Sequence, residues 1–159
     1  MRIFPLFMVI FALSSCARPA SASNTQKVAR ANVAERGRLR GVTIFSVWSP
    51  DLRKSFEWYR DKLGLQVHDD TEVQPGEPWV TLNVPDHPEL VIAFKQGAAR
   101  PGETLFGLET DDVHALYATL KAKGVVFRLP PTEFPYGTEA DLEDLDGQVI
   151  AITQPASGM

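Results

Sequence analysis

The sequence predicts an α+β fold in which two βαβββ modules form a cupped, mixed β-sheet. From residue 41 onward, short β-branched or apolar segments and one amphipathic stretch follow the order strand, helix, strand, strand, strand. The same order returns about sixty positions later. The join between the copies, KQGAARPGE at 95–103, has the Gly, Ala and Pro of a connector. These observations predict a first module over 41–96 and a second over 103–154.

The first strand is predicted over 41–47, where the sequence reads GVTIFSV. Ser49-Pro50-Asp51 supplies an N-cap, a proline at the first helical position and an acid near the positive end of the helix dipole. Gly64 supplies the left-handed residue that ends the helix. The apolar face of this helix comprises Leu52, Phe56, Tyr59 and Leu63. The segments LQVHD, WVTLNV and ELVIAF are predicted as the three further strands.

The second copy is aligned on the ends of the helix, with Asp111 equivalent to Asp51 and Gly124 equivalent to Gly64. The segment TLFGLE takes the place of the first strand. The apolar face of the second helix comprises Val113, Leu116, Tyr117 and Leu120. A single module leaves one face of its sheet bare, so we expect the two modules to pair and close a cup.

Residues 1–15 are predicted to be a signal peptide. Arg2 precedes an apolar run over 3–13, which has the length of a signal-peptide core and is shorter than the roughly 20 residues of a membrane span. Leu13-Ser14-Ser15-Cys16 resembles the bacterial lipobox, which predicts lipidation at Cys16 and a membrane anchor. The alternative is ordinary cleavage after Ala20-Ser21-Ala22. The predicted location is the periplasmic side of a bacterial envelope, either lipid-anchored or, in the alternative, as a secreted or soluble periplasmic protein.

Residues 16–40 are predicted to be a basic, flexible tether, because they lack a sustained apolar period. The charge reverses beyond the tether. From residue 41 onward nine Lys and Arg side chains are outnumbered by nineteen Asp and Glu side chains, a formal charge of −10. Such a surface repels a phosphate backbone, so nucleic acid is excluded as a partner.

Three segments carry a family resemblance: SPDLRKSFEWYRDKLGLQV, TDDVHALYATLKAKGVVF and PYGTEADLEDLDGQVIAIT. Together they resemble the vicinal oxygen chelate superfamily, which includes glyoxalase I, extradiol dioxygenases and bleomycin resistance proteins. The resemblance covers residues 41 to about 154. It implies the glyoxalase/bleomycin resistance/dioxygenase fold, and in the family's enzymes a divalent metal lies in the cup, held by His or Glu side chains.

The resemblance places the four metal-ligand positions at Phe45, Val91, Leu105 and Ala151. None of these side chains binds a metal, and neighbouring registers offer only Thr104 as an oxygen donor. No cofactor is therefore predicted. The alternative is a divalent metal held by displaced ligands, for which the candidates are His68, Glu109 and Glu139.

Asp144 and Asp146 raise a separate question, because two acids beside Gly147 can hold a cation or turn the chain. In a calcium loop of the EF-hand type, an oxygen donor would stand at the position of Leu142 and an acid at the position of Thr153. The segment therefore lacks the required ligand at both ends. We expect a hairpin turn in which Gly147 takes a positive φ and the Asp side chains accept bonds from local amides.

Two further groups of side chains are candidates for a binding site. Trp48, Trp79, Phe94 and Tyr136 lie at predicted strand ends or loops and are able to line a pocket for a flat ligand. Glu139, Asp141 and Glu143 alternate along one strand, so they share one face, which is either solvated or turned into the cup. Glu139 is the one weak candidate for a catalytic base. The predicted ligand-binding cup comprises Phe45, Trp79, Val91, Leu105, Tyr136, Glu139 and Ala151.

These features predict a protein that binds a small apolar or aromatic molecule in a metal-free cup, for which the family's drug-sequestering resistance proteins are the natural comparison. Two alternatives are a metal-dependent glyoxalase, lyase or dioxygenase with displaced ligands and a non-catalytic interaction module of the envelope. Whether the protein is an enzyme stays open. The two modules either close on each other within one chain or exchange between two chains, and a homodimer is the expected assembly.

Overall fold

The computed structural model describes residues 41–157, which contain eight strands and two helices. The elements of the first half are β1 (Ile44–Ser49), α1 (Leu52–Leu63), β2 (Gln66–Gln74), β3 (Glu77–Val84) and β4 (His87–Gln96). The elements of the second half are β5 (Thr104–Glu109), α2 (Val113–Ala122), β6 (Val126–Phe134), β7 (Gly137–Glu143) and β8 (Val149–Pro155). The signal peptide, Cys16 and the tether lie outside the described residues.

Each half of the chain builds its own four-stranded sheet. The order is β1-β4-β3-β2 in the first sheet and β5-β8-β7-β6 in the second. In both sheets the first and last strands of the module run parallel, whereas the other neighbours run antiparallel. This is the predicted α+β class with two βαβββ modules, so the predicted fold is confirmed.

The first helix begins at Leu52, two residues after Pro50, the first helical position that the sequence predicted. Asp51 caps α1, accepting a bond from the Lys54 amide, whereas Ser49 ends β1 and its hydroxyl accepts from the Asp51 amide. Asp112, and not Asp111, caps α2 in the same way. The caps are therefore 61 residues apart and the closing glycines only 60, because the segment between cap and glycine is one residue shorter in the second module.

Each helix covers one face of its sheet, here called the core face. Phe56 and Tyr59 of α1 pack edge-on against Phe94 of β4, with ring centroids 5.7 and 5.1 Å apart. Tyr117 of α2 packs against Phe127 of β6 at 4.6 Å. The opposite face of each sheet, here called the open face, carries the alternate residues of the strands.

The two modules share one hydrophobic cluster. Within this cluster, Phe45 of the first sheet contacts Phe106 of the second, with ring centroids 5.4 Å apart. These phenylalanines are equivalent in the two strands that precede the helices, at the spacing of 61 set by the caps. The described residues include no helix that is long and apolar enough to cross a membrane.

Candidate functional site

A pocket of about 360 Å³ lies at the end of the first sheet where β1 and β4 end and β3 begins. Two indole rings, those of Trp48 and Trp79, contribute to its wall. Its apolar lining comprises Trp48, Leu52, Val73, Pro78, Trp79 and Phe94. We call this cavity the tryptophan pocket. Its size and aromatic lining are those of a site for a small, flat organic molecule.

Glycine 97 holds Trp48 in place. A Cβ atom at this position would lie 2.6 Å from the Trp48 ring, so only a glycine lets the indole pack directly on the backbone. The Gly97 amide also donates to the Ser49 carbonyl, which ties the two strand ends together. Trp48 is nevertheless 46% exposed, so one side of a positioned indole is open to a ligand.

Two charged side chains also line the tryptophan pocket, Lys95 and Glu77. Lys95 lies beside Trp48 in the β1–β4 register, and its Nζ lies 5.2 Å from the centroid of the Trp79 ring. Glu77 is exposed at the start of β3. The pocket therefore combines aromatic walls with one half-buried lysine and one carboxylate in contact with water.

The sequence placed Trp48, Trp79 and Phe94 near a pocket, and the structure brings these three together. It places Tyr136 elsewhere, in the turn between β6 and β7, where its ring stacks on Phe134 at 5.2 Å. Sequence reasoning did not single out Lys95. The signal that identifies it is its position one residue after Phe94 on β4, opposite Trp48.

Phe45, a predicted cup residue, packs against the core in the structure. It is paired in register with Ile92, which is fully buried on the core face, and its ring packs against Phe106. The prediction for Phe45 used a uniform repeat of sixty. With the spacing of 61 between the caps, the residue equivalent to Leu105 is Ile44, which is paired with Val91.

The remaining cup residues belong to the second sheet. Leu105 is half-buried and packs against the core, and Ala151 lies between Gly107 and Asp141 in the register. Glu139 is paired with Thr153, whose hydroxyl donates to its carboxylate over 3.2 Å. The seven predicted cup residues are thus divided between two sheets.

The acidic residues of β7 share the open face of the second sheet. Ala140 and Leu142 point into the core and are fully buried, whereas Glu139, Asp141 and Glu143 are half-buried on the other side. Burial raises the pKa of Asp141, and the Glu139 charge raises it further. Burial likewise raises the pKa of Tyr136, with a smaller contribution from Glu139.

The donor set does not fit a divalent metal. The four ligand positions that the resemblance implies, Phe45, Val91, Leu105 and Ala151, offer only hydrocarbon side chains, as does Ile44. No three His, Cys, Asp or Glu side chains within 41–157 are grouped so as to hold a metal ion. Of the displaced candidates, Glu109 and Glu139 lie on either side of Thr153 in the second sheet, whereas His68 lies on β2 of the first sheet.

A second pocket, of about 390 Å³, lies where the two modules meet. The β3–β4 hairpin contributes Val84, His87 and Leu90, and the end of β5 and the loop after it contribute residues 107–111. No Phe, Tyr or Trp side chain lines it. His87 is exposed, and its Nδ1 lies 3.3 Å from Glu89 Oε1, so the imidazole interacts with a carboxylate of its own strand, β4. The tryptophan pocket is the better candidate for a flat ligand, because two indole rings line it and none lines the second pocket.

Asp144 turns the chain and also joins the modules. The turn over 144–148 has Gly147 at φ 76°, and Asp144 Oδ1 accepts bonds from the Asp146 and Gln148 amides, as predicted. Its Oδ2 accepts from the Tyr59 hydroxyl of α1 at 2.8 Å and from Gln148 Nε2 at 3.0 Å. Gln148 Nε2 also donates to the Trp48 carbonyl. The buried carboxylate is therefore fully hydrogen-bonded by protein groups.

Residues 41–152 match a sequence model of the Glyoxalase/Bleomycin resistance protein/Dioxygenase superfamily. Among curated proteins, the uncharacterized protein YurT of Bacillus subtilis strain 168 is 28% identical over 127 residues, covering 71% of this chain and 98% of YurT. The uncharacterized protein YetH of the same organism is 19% identical over 119 residues, covering 73% of this chain and 99% of YetH.

This chain is also similar to several solved structures. TnmS3, an antibiotic binding protein from Streptomyces sp. CB03234, is 26% identical with a TM-score of 0.66, covering 74% of this chain and 98% of TnmS3. A superfamily member from Sphaerobacter thermophilus is 25% identical with a TM-score of 0.65, covering 73% of this chain and 98% of its own. UcmS2 has a TM-score of 0.67 at 21% identity, with coverage of 73% and 98%, and this likeness concerns the fold alone.

Proposed function

Because the chain belongs to the Glyoxalase/Bleomycin resistance protein/Dioxygenase superfamily, we propose that it uses this fold to bind a small, flat aromatic molecule without transforming it. The observation that carries the proposal is the tryptophan pocket, in which the indole of Trp48 is held open against Gly97 beside Trp79. Fixed aromatic surfaces bind flat ligands with a small loss of side-chain entropy.

Two further observations support binding over catalysis. The positions at which the resemblance implies metal ligands are hydrocarbon here, so the chain lacks the donors that this chemistry requires. The structurally similar TnmS3 is described as an antibiotic binding protein. Sequestration of an aromatic compound is the function that both observations favour.

The test is a calorimetric titration of the purified full chain with naphthalene and anthracene derivatives. We expect saturable binding with a stoichiometry of one per chain. Trp79→Leu removes one aromatic wall and is expected to weaken binding at least about tenfold, in line with the loss of one stacked ring. Trp58→Phe is the matched control, because Trp58 lies on α1 against Tyr59 and outside the pocket. Absence of saturable binding, or unchanged affinity in Trp79→Leu, would refute the proposal.

We also propose that the protein works on the periplasmic side of a bacterial envelope, anchored through Cys16. Support comes from the apolar run over 3–13 and the lipobox-like Leu13 to Cys16. An aromatic compound that enters the envelope would meet the binding domain there. The homodimer expected from the resemblance stays a prediction.

A further inference from the structure

Lys95 differs from every other lysine within 41–157 in its surroundings. Four of these five side chains reach an oxygen atom: Lys54 reaches Asp51, Lys62 and Lys123 reach main-chain carbonyls, and Lys121 reaches the Tyr117 hydroxyl. The ammonium of Lys95 has no such acceptor in the part of the chain that the structure describes, and it lies over the face of the Trp79 ring.

The Lys95 residue is half-buried and lines the tryptophan pocket. A charged group that is partly removed from water and lacks a counter-ion favours an opposite charge beside it. Within 41–157, no carboxylate lies within ion-pair distance of Lys95. Glu77, the pocket's carboxylate, is exposed at the rim, where water screens its charge.

The position of the ammonium also determines what happens when a ring enters. Lys95 Nζ lies over the Trp79 ring, 5.2 Å from its centroid, on a surface that a flat ligand would use for stacking. A neutral ligand that stacks on this surface displaces the ammonium and offers it no opposite charge. A ligand with an acidic substituent displaces it too, but offers a charge-assisted hydrogen bond in exchange.

We propose that the tryptophan pocket selects flat aromatic acids, with the ring against Trp79 and Trp48 and the acidic oxygen atoms on Lys95. This inference rests on the proposed function and narrows its ligand class. The surface of the domain is strongly acidic, with a formal charge of −10 from residue 41 onward, so attraction of the acid is local to Lys95 and not a property of the whole surface.

The test compares 2-naphthoate with 2-naphthalenemethanol, which presents the same ring system with a neutral hydroxymethyl group. Calorimetric titration of the purified full chain at pH 7 is expected to show naphthoate binding about tenfold more tightly, the size of one charge-assisted hydrogen bond. Lys95→Met is expected to abolish this preference, mainly by weakening naphthoate binding. Lys95→Arg, which keeps the charge, is expected to restore it.

Lys121→Met is the matched control, because Lys121 Nζ lies 5.1 Å from the Tyr117 ring centroid on α2, outside the pocket. Its affinities for both compounds should equal those of the unmodified chain. Equal affinity of the unmodified chain for the acid and the alcohol would overturn this inference while leaving the proposed function standing, as would a preference that survives in Lys95→Met. Failure of both compounds to bind would refute the two proposals together.

Discussion

Removing one hydroxyl group from Tyr59 tests how the two modules are held together. The Tyr59 side chain is fully buried in α1, and its hydroxyl donates over 2.8 Å to Asp144, which is only 6% exposed in the turn before β8. Phenylalanine keeps the ring that packs on Phe94 and removes only this bond. Tyr59→Phe therefore isolates one hydrogen bond between the modules.

The expected loss in the free energy of unfolding is about 1.5–3 kcal/mol, the range for a buried hydrogen bond to a charged group. The loss should not exceed this range, because Asp144 Oδ2 keeps its bond from Gln148 Nε2 and its Oδ1 keeps two amide donors. Asp144→Ala is expected to cost more, since it leaves the Tyr59 hydroxyl and these donors without their acceptor.

The assay is urea unfolding at pH 7, followed by fluorescence and circular dichroism. Tyr117→Phe is the matched control, because its hydroxyl accepts from the exposed Lys121, and its expected cost is below about 0.5 kcal/mol. Burial and the neighbouring Asp144 raise the pKa of Tyr59, so the stability that its hydroxyl contributes is present below the ordinary value of 10.0 and is lost as pH rises above it. A cost below about 0.5 kcal/mol for Tyr59→Phe would refute the inter-module role.

Three further predictions concern other parts of the chain. Gly97→Ala is expected to displace the Trp48 ring and to weaken aromatic binding at least about tenfold, with the circular dichroism spectrum unchanged; unchanged affinity by titration would contradict the role of Gly97. Asp141→Asn is expected to raise the unfolding midpoint at pH 7. Because burial raises the pKa of Asp141, its charged form destabilises the fold above the ordinary value of 3.8, and the gain measured by thermal scans should shrink as pH falls toward that value. Cys16→Ser is expected to abolish palmitate labelling and release the protein from the membrane fraction, and persistent labelling would exclude lipidation at this residue.

The elements of the fold were predictable because each follows a local rule. The apolar face of α1 includes Phe56 and Tyr59, both buried, and Gly64 ends the helix at φ 76°. The turn at Gly147 follows from the same chemistry. The helix starts were less certain, because Ser49 and Asp51 are both good N-caps, and the choice of Asp51 depends on β1 extending to Ser49.

The site was predictable only in part, since it depends on small offsets and on distant contacts. A uniform repeat of sixty placed Phe45 in the cup, whereas the helix caps of the two modules lie 61 residues apart. The bond from Tyr59 to Asp144 joins residues 85 positions apart, and no local pattern indicates it. Lys95 has no motif of its own, because its importance comes from the pairing of β1 with β4.

The most direct test of ligand binding in the tryptophan pocket uses the three tryptophans of the chain as reporters. Their indole N–H signals are resolved by ¹⁵N–¹H correlation spectroscopy of the labelled full chain and assigned by single Trp→Phe variants. On titration with 2-naphthoate, the signals of Trp48 and Trp79 are predicted to shift together and to saturate, while that of Trp58 stays in place, because Trp58 lies on α1 outside the pocket. Three unshifted signals, or a shift confined to Trp58, would contradict the account.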